Sequence, residues 1–255
     1  MPHISYSELK NWDFCPYYHK LVHIEKIKGF QGNLYTAFGT ALHNVCENVV
    51  KDNNIDVNKT FLDSFDEEIS NLDNKFLTEE KMISDMKKQG VELANLIIKA
   101  LNLKFSSYEV ISAEEEIYEK IKEFDHDYDY KGFLDLVIKT EDGKYHIIDW
   151  KSCSWGWDMQ RKTDSMTTYQ LTYYKHFFCR KHNIDPKMVE TYFGLLKRTA
   201  KKNRIEIFRV TSGERKTNNS LKVLNKALYN IYNKNHPKNR LKCDKCEFNK
   251  TEWCK

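Results

Sequence analysis

GFLDLVIKTEDGKYHIIDWK, residues 132–151, decides the fold. From Tyr108 onward the apolar period is two, and Asp142-Gly143 interrupts it with a dipeptide that tolerates the positive φ of a hairpin turn. The stretch therefore predicts antiparallel strands at about 131–139 and 144–150, preceded by a third at about 108–122. Asp135 and Asp149 fall at comparable distances from the turn, so their side chains would meet across the ladder if the face parity agrees. Lys151, two residues beyond Asp149, projects to the same face. Charges on such apolar elements are costly to bury without a partner, and this asks for a compensating group.

The flanking sequence places helices around this hairpin. Ser5 and Glu8 fit a capping box, predicting a helix from Tyr6 to about Phe14 that ends before Pro16. Apolar residues from Ala37 to Val50 recur at helical spacing and predict a helix from about Phe38 to Lys51, with His43 and Glu47 one turn apart. Residues 60–103 read as one or two further helices, so 52–107 is expected to be a helical insertion. A helix from about Ser165 to Lys181, strands near 189–196 and 204–210, and a helix near 214–233 complete the chain. Strand, helix, strand points to a crossover in a mixed sheet. The expected class is α/β, a mixed central sheet flanked by helices, forming one domain over residues 1–255.

Composition is permissive. The 255 residues are 40% hydrophobic, enough for a sizeable core. The charge of +4 is the small difference between 41 basic and 37 acidic side chains, so charge alone does not announce nucleic acid. No run approaches the ~20 apolar residues of a membrane span, and Met1-Pro2-His3-Ile4 does not open a signal peptide. The expectation is a cytoplasmic protein.

Seven cysteines suit a metal or redox role better than a disulfide framework in a reducing compartment. Cys46, Cys153 and Cys179 sit singly in apolar or aromatic surroundings and read as small buried hydrophobes. Cys243, Cys246 and Cys254 form C-x2-C-x7-C in a polar tail, residues 236–255. Cys15, at the end of the first helix, is the natural fourth ligand.

The central residues have a chemistry in common. Phosphodiester hydrolysis needs an activated water, neutralised phosphoryl oxygens and help for the leaving alkoxide. Asp135 and Asp149 would hold Mg²⁺ or Mn²⁺ through hard oxygens, His43 would add an imidazole that favours Mn²⁺, and the Trp150 carbonyl would complete the shell. Lys151 would position the water or stabilise the phosphoryl group.

These residues together resemble the PD-(D/E)XK nuclease superfamily, and within it the RecB-like branch that includes CRISPR-associated iron–sulfur exonucleases. Ser5-Tyr6-Ser7-Glu8-Leu9 through Cys15-Pro16 resembles that branch's S-x-S-x-L…C-P opening, and Gly39 to His43 its G-x-x-x-H helix. Gly132 to Asp135 matches G-x-x-D, Asp149-Trp150-Lys151 matches D-x-K, and Gln170 to Tyr174 matches Q-x-x-x-Y. The resemblance spans Ser5 to Cys254. It implies a restriction-endonuclease-like core with a DNA-admitting cleft, and a [4Fe–4S] cluster on Cys15, Cys243, Cys246 and Cys254 that staples the two chain ends. Closing so long a loop is where a clip should stabilise most in the entropy picture. The seven-residue gap between Cys246 and Cys254 is longer than is common in the family, and four thiolates serve structural Zn²⁺ as well.

Other candidates keep two readings. Gln170 would face the attacking water or scissile phosphate, and Tyr174 a phosphate, a base or the core. Lys197, Arg198, Lys201, Lys202 and Arg204 form either a phosphate-tracking loop or a solvated hairpin tip. Trp155 and Trp157 either stack on bases or fill the core, and one of Glu114, Glu115 and Glu116 reaches the metal or all line a solvated face. The expected activity is a Mg²⁺- or Mn²⁺-dependent exonuclease on single-stranded DNA or DNA ends. It would serve recombination, repair, replication or CRISPR adaptation in a bacterial, archaeal or phage-infected cell, alone, as a homo-oligomer or with proteins of those pathways. The alternative is a non-catalytic nucleic-acid-binding or assembly module that keeps the cluster for structure; retained DNA without cleavage would identify it.

Overall fold

The computed structural model describes residues 2–52, 54–72 and 79–255. Met1, Asn53 and residues 73–78 lie outside the described residues, the last two within the expected insertion. Strand β1 (His3–Ser5) leads into α1 (Tyr6–Phe14), whose N-cap Ser5 accepts a hydrogen bond from Glu8 N at 3.2 Å. The return half of the expected box is replaced, because the Glu8 carboxylate meets the buried His19 Nε2 at 2.8 Å. Pro16 starts α2 (Pro16–His19), where a missing N–H is harmless, and one π turn follows over Lys20–Ile24.

Helix α3 (Leu34–Lys51) begins one turn earlier than its apolar pattern predicts. Asn33 and Thr36 form a capping box there, which satisfies the first free N–H groups and lets polar residues enter the helix. Among the described residues three helices, α4 (Val57–Ser70), α5 (Glu80–Ala94) and α6 (Ile97–Phe105), occupy the expected insertion, where one or two were expected. Strands β2 (Tyr108–Lys120), β3 (Asp129–Thr140) and β4 (Tyr145–Cys153) follow, then short α7 (Met159–Thr163) and long α8 (Ser165–His182). Strands β5 (Val189–Lys197) and β6 (Ile205–Val210) precede α9 (Glu214–Tyr232).

The chain divides into two compact units. The larger holds residues 32–116 and 133–212. In it β3 and β4 are antiparallel, β4 and β5 parallel, and β5 and β6 antiparallel. The sheet is therefore mixed and flanked by helices. Helices α3 to α6 bury one face, packing Phe38, Phe61 and Phe65 toward Leu136, Ile148 and Trp150. Helix α8 lies along β4 and β5, with Phe178 6.0 Å from Tyr145 between ring centroids. At the hairpin turn only Gly143 uses positive φ, at 80°.

The smaller unit holds residues up to 31, 117–132 and 213–255. There β1 pairs in parallel with the first residues of β3, from His3 opposite Asp129 to Ser5 opposite Lys131. The Tyr18 hydroxyl donates to Glu247 at 2.8 Å, tying the start of the chain to its tail. Among the described residues no helix is long and apolar enough to cross a membrane.

Gly194 on β5 is where core packing leaves no room for a side chain. A Cβ there would lie 2.2 Å from Cε3 of the Trp150 indole, which is fully buried on the neighbouring strand. Gly194→Ala is expected to destabilise the protein by about 1–3 kcal/mol, the usual cost of overpacking, and urea unfolding would measure it; unchanged stability would mean that Trp150 has freedom to move.

Candidate active site

Antiparallel pairing of β3 and β4 runs from Lys139 opposite Tyr145 to Leu136 opposite Ile148. One step further along this register Asp135 faces Asp149, where the expected parity holds. Asp149 is 1% exposed, and both its oxygens are engaged. Oδ1 accepts from Gln170 Nε2 at 2.9 Å, and Oδ2 is 2.5 Å from Lys151 Nζ. Asp135 Oδ2 accepts from Trp150 N at 2.6 Å and stands 3.4 Å from His43 Nδ1. The structure thus brings His43, Asp135, Asp149, Lys151 and Gln170 together.

It also adds a residue that the sequence left among three. Glu114 joins His43 and Asp135, with one ligand atom from each lying within 4.8 Å of the others. Backbone geometry selects it. Glu114 sits inside β2 with φ of 55°, a left-handed conformation that is uncommon for a side chain other than glycine and locally re-aims the strand. Its neighbour Glu115 is directed elsewhere, to Lys181 Nζ at 2.7 Å, His182 Nε2 at 2.5 Å and Ser112 Oγ at 2.6 Å. A run of three glutamates carries no signal for which one turns inward.

Electrostatics at the site are those of crowded acids. Burial, reinforced by Asp135, pushes the Asp149 carboxyl up to about 6 despite the adjacent Lys151 ammonium. Burial would raise Asp135 too, but His43, Lys151 and the Trp150 N–H hold it below its ordinary value. Burial would depress His43, and the Asp135 carboxylate outweighs it, so the imidazole pKa rises. Burial raises Glu114, helped by Asp135 and Glu47. One imidazole with hard carboxylate oxygens is a donor set that fits a divalent cation, and a cation would relieve this crowding.

Other expected residues have different surroundings. Tyr174 is 6% exposed, and its hydroxyl accepts from Gln170 Nε2 at 3.0 Å, so it supports that amide from the core. Trp157 is buried with its ring 5.0 Å from Phe193, so it fills the core, whereas Trp155 is 73% exposed. In the basic loop Lys197 is buried near Glu206 at 3.4 Å, Arg204 pairs with Glu92, and Arg198 donates to Gln89 at 2.7 Å. Lys197, Arg198 and Arg204 are thus tied to partners within the fold. Lys201 and Lys202 are exposed.

In the smaller unit Cys15, Cys243, Cys246 and Cys254 line one cavity. Asn239 N donates to Cys15 Sγ at 3.2 Å. Cys46 and Cys179 are buried and Cys153 is half-buried; all seven cysteines are free.

The sequence model of the PD-(D/E)XK nuclease superfamily matches residues 3–255. The chain belongs to this superfamily. Among solved structures, this PD-(D/E)XK chain is similar to a "Putative exonuclease" from Eubacterium rectale, at TM-score 0.64 and 14% identity, covering 98% of this chain and 88% of the other. That likeness shows a shared fold. A second structure, that of SSO0001, aligns at TM-score 0.40 and 15% identity over 91% of each chain and adds no argument. A comparison with curated proteins finds no match. PD-(D/E)XK nucleases generally use Mg²⁺ or Mn²⁺, in keeping with the carboxylate and imidazole group described above.

Glu114→Gln should weaken Mn²⁺ binding by about tenfold or more in calorimetric titration, while Glu115→Gln should leave it unchanged. Ligation needs a neutral imidazole, so the raised His43 pKa predicts proton competition beginning above the ordinary histidine range. Affinity should therefore rise with pH through and beyond about 6.5. Equal effects of the two glutamate variants would remove Glu114 from the site.

Proposed function

We propose that the protein is a metal-dependent DNA exonuclease that hydrolyses phosphodiester bonds in single-stranded DNA or at DNA ends. The supporting observation is the crowding of Glu114, Asp135 and Asp149 around His43 and Lys151. In this reading His43, Asp135 and Glu114 hold the cation, with Asp149 and the Trp150 carbonyl as further ligands. A bound divalent cation supplies neutralisation of phosphoryl charge and a lowered pKa for the attacking water. Lys151 orients that water and donates to a phosphoryl oxygen. Gln170 fixes the Asp149 carboxylate, and Tyr174 fixes Gln170.

The RecB-like assignment rests on the five ordered motifs, and the name of the Eubacterium rectale protein, a "Putative exonuclease", is consistent with it. The single nuclease domain, its 52–107 insertion and its 236–255 cluster segment belong to the same proposal. So do a cytoplasmic location, a phage or prokaryotic source and partners in recombination, repair or CRISPR adaptation. For the cluster, the four thiols share a cavity. The resemblance of the cysteine motifs supports [4Fe–4S], with structural Zn²⁺ as the alternative that four thiolates serve as well.

Labelled DNA incubated with Mn²⁺ tests the activity. Wild type should cleave, while Asp149→Ala and Lys151→Ala should each lose about a hundredfold or more and still bind the strand. Binding without cleavage by wild type would replace the enzyme with a binding module. An anaerobic visible spectrum tests the cluster: broad absorption near about 400 nm supports iron–sulfur, and a colourless protein carrying zinc would refute it.

A further inference from the structure

We propose that Arg161 grips a backbone phosphate beyond the scissile one, with the buried Trp157 indole as the plate that fixes its guanidinium. The proposal rests on the nuclease reading above and deepens it. Its substrate is a polynucleotide, recognised by more than the bond that breaks.

Arg161 follows the D-x-K strand on α7, and its backbone is pinned. Its N–H donates to the N-cap residue Asp158 at 2.7 Å. The guanidinium carbon lies 4.4 Å from the Trp157 ring centroid. Trp157 is itself wedged 5.0 Å from Phe193 and 6.3 Å from Phe208 between ring centroids, so the plate is rigid. A guanidinium stacked on an aromatic face keeps its N–H edge available, and that planar fork matches two oxygens of a phosphate.

The charge environment indicates what is lacking. Arg161 is exposed and makes no ion pair among the described residues. Its neighbour Lys162 is satisfied by Glu206, which also meets Lys197. Phe193, against which Trp157 packs, is the β5 partner of Asp149 on β4, so the stacked Arg161 stands beside the strand that carries Asp149 and Lys151. Two cations in one neighbourhood repel one another until an anion arrives. A polyanion threaded past Lys151 meets both, one phosphate at the chemistry and another at Arg161.

Fluorescence anisotropy with a labelled oligonucleotide tests this in an Asp149→Ala background, alongside cleavage assays in the native background. Arg161→Ala should weaken binding about tenfold, the scale of one charge-assisted hydrogen-bonded contact. The slope of log affinity against log salt should flatten by about 0.7. In cleavage, KM should rise about as much with kcat nearly unchanged, while hydrolysis of bis(4-nitrophenyl) phosphate, which has a single phosphodiester, should not change. Arg161→Lys keeps the charge without the fork and should restore the salt slope with only part of the affinity. If Arg161 serves only to cover Trp157, the alanine variant will melt earlier yet match its parent in affinity and salt slope, and the proposal falls. If the parent proteins neither bind nor cleave DNA, the nuclease reading falls with it; if they do both and the Arg161 variants are indistinguishable from them, this inference alone fails.

Discussion

Three carboxylates are gathered at a half-buried site with one ammonium and one imidazole, and the rest of the larger unit is arranged to hold them there. Glu114 comes from β2, Asp135 from β3 and Asp149 from β4, so each belongs to a different strand of the same region. Left alone, like charges at this separation raise one another's pKa and favour a protonated acid. Lys151 and His43 offset part of that repulsion. Their directions differ for a physical reason: Asp135 has an imidazole, an ammonium and a backbone N–H to stabilise its charge, while Asp149 is more completely enclosed and is opposed by Asp135. The remaining imbalance is what makes a divalent cation the natural complement of the site.

Backbone strain makes that arrangement possible. A regular strand would send Glu114 and Glu115 to opposite faces with no special aim. The positive φ at Glu114 carries an energetic cost that a regular residue would avoid, and such costs persist where surrounding contacts over-determine the conformation. Here the contacts are visible on the other side of the kink. Glu115 is held by a lysine, a histidine and a serine, which anchor the strand while Glu114 turns to His43. The ion pairs of Glu115 are thus a support for the site and not part of its chemistry.

Much of this was legible in the sequence because it depends on local periodicity. The hairpin about Asp142-Gly143 sets the register, the register sets Asp135 against Asp149, and period two sets Lys151 beside Asp149. His43 was legible from the spacing of one amphipathic helix. What escaped depends on tertiary contacts. The early start of α3 comes from an Asn33 cap that the apolar stripe does not include. Tyr174 had two plausible environments until packing chose the buried one. The partners of Lys197 and Arg204 were not legible in the loop itself, because Glu92 lies far off in the chain and Glu206 on the returning strand. A charge count of +4 could not separate neutralised cations from available ones.

The same strand that carries the chemistry also carries the core, and this couples the two. On β4, Asp149 and Lys151 point one way while Trp150 points the other, into a space that exists because Gly194 has no side chain. The Trp150 N–H is at the same time the donor that holds Asp135. A slip of one residue would exchange these faces, burying a lysine in the aromatic core and presenting an indole to the acids. Packing of Trp150 therefore fixes the register, and the register fixes the distance between two acids and a lysine. The D-x-K spacing works here because its middle residue is an anchor, and the precision of the polar groups is inherited from the apolar one between them.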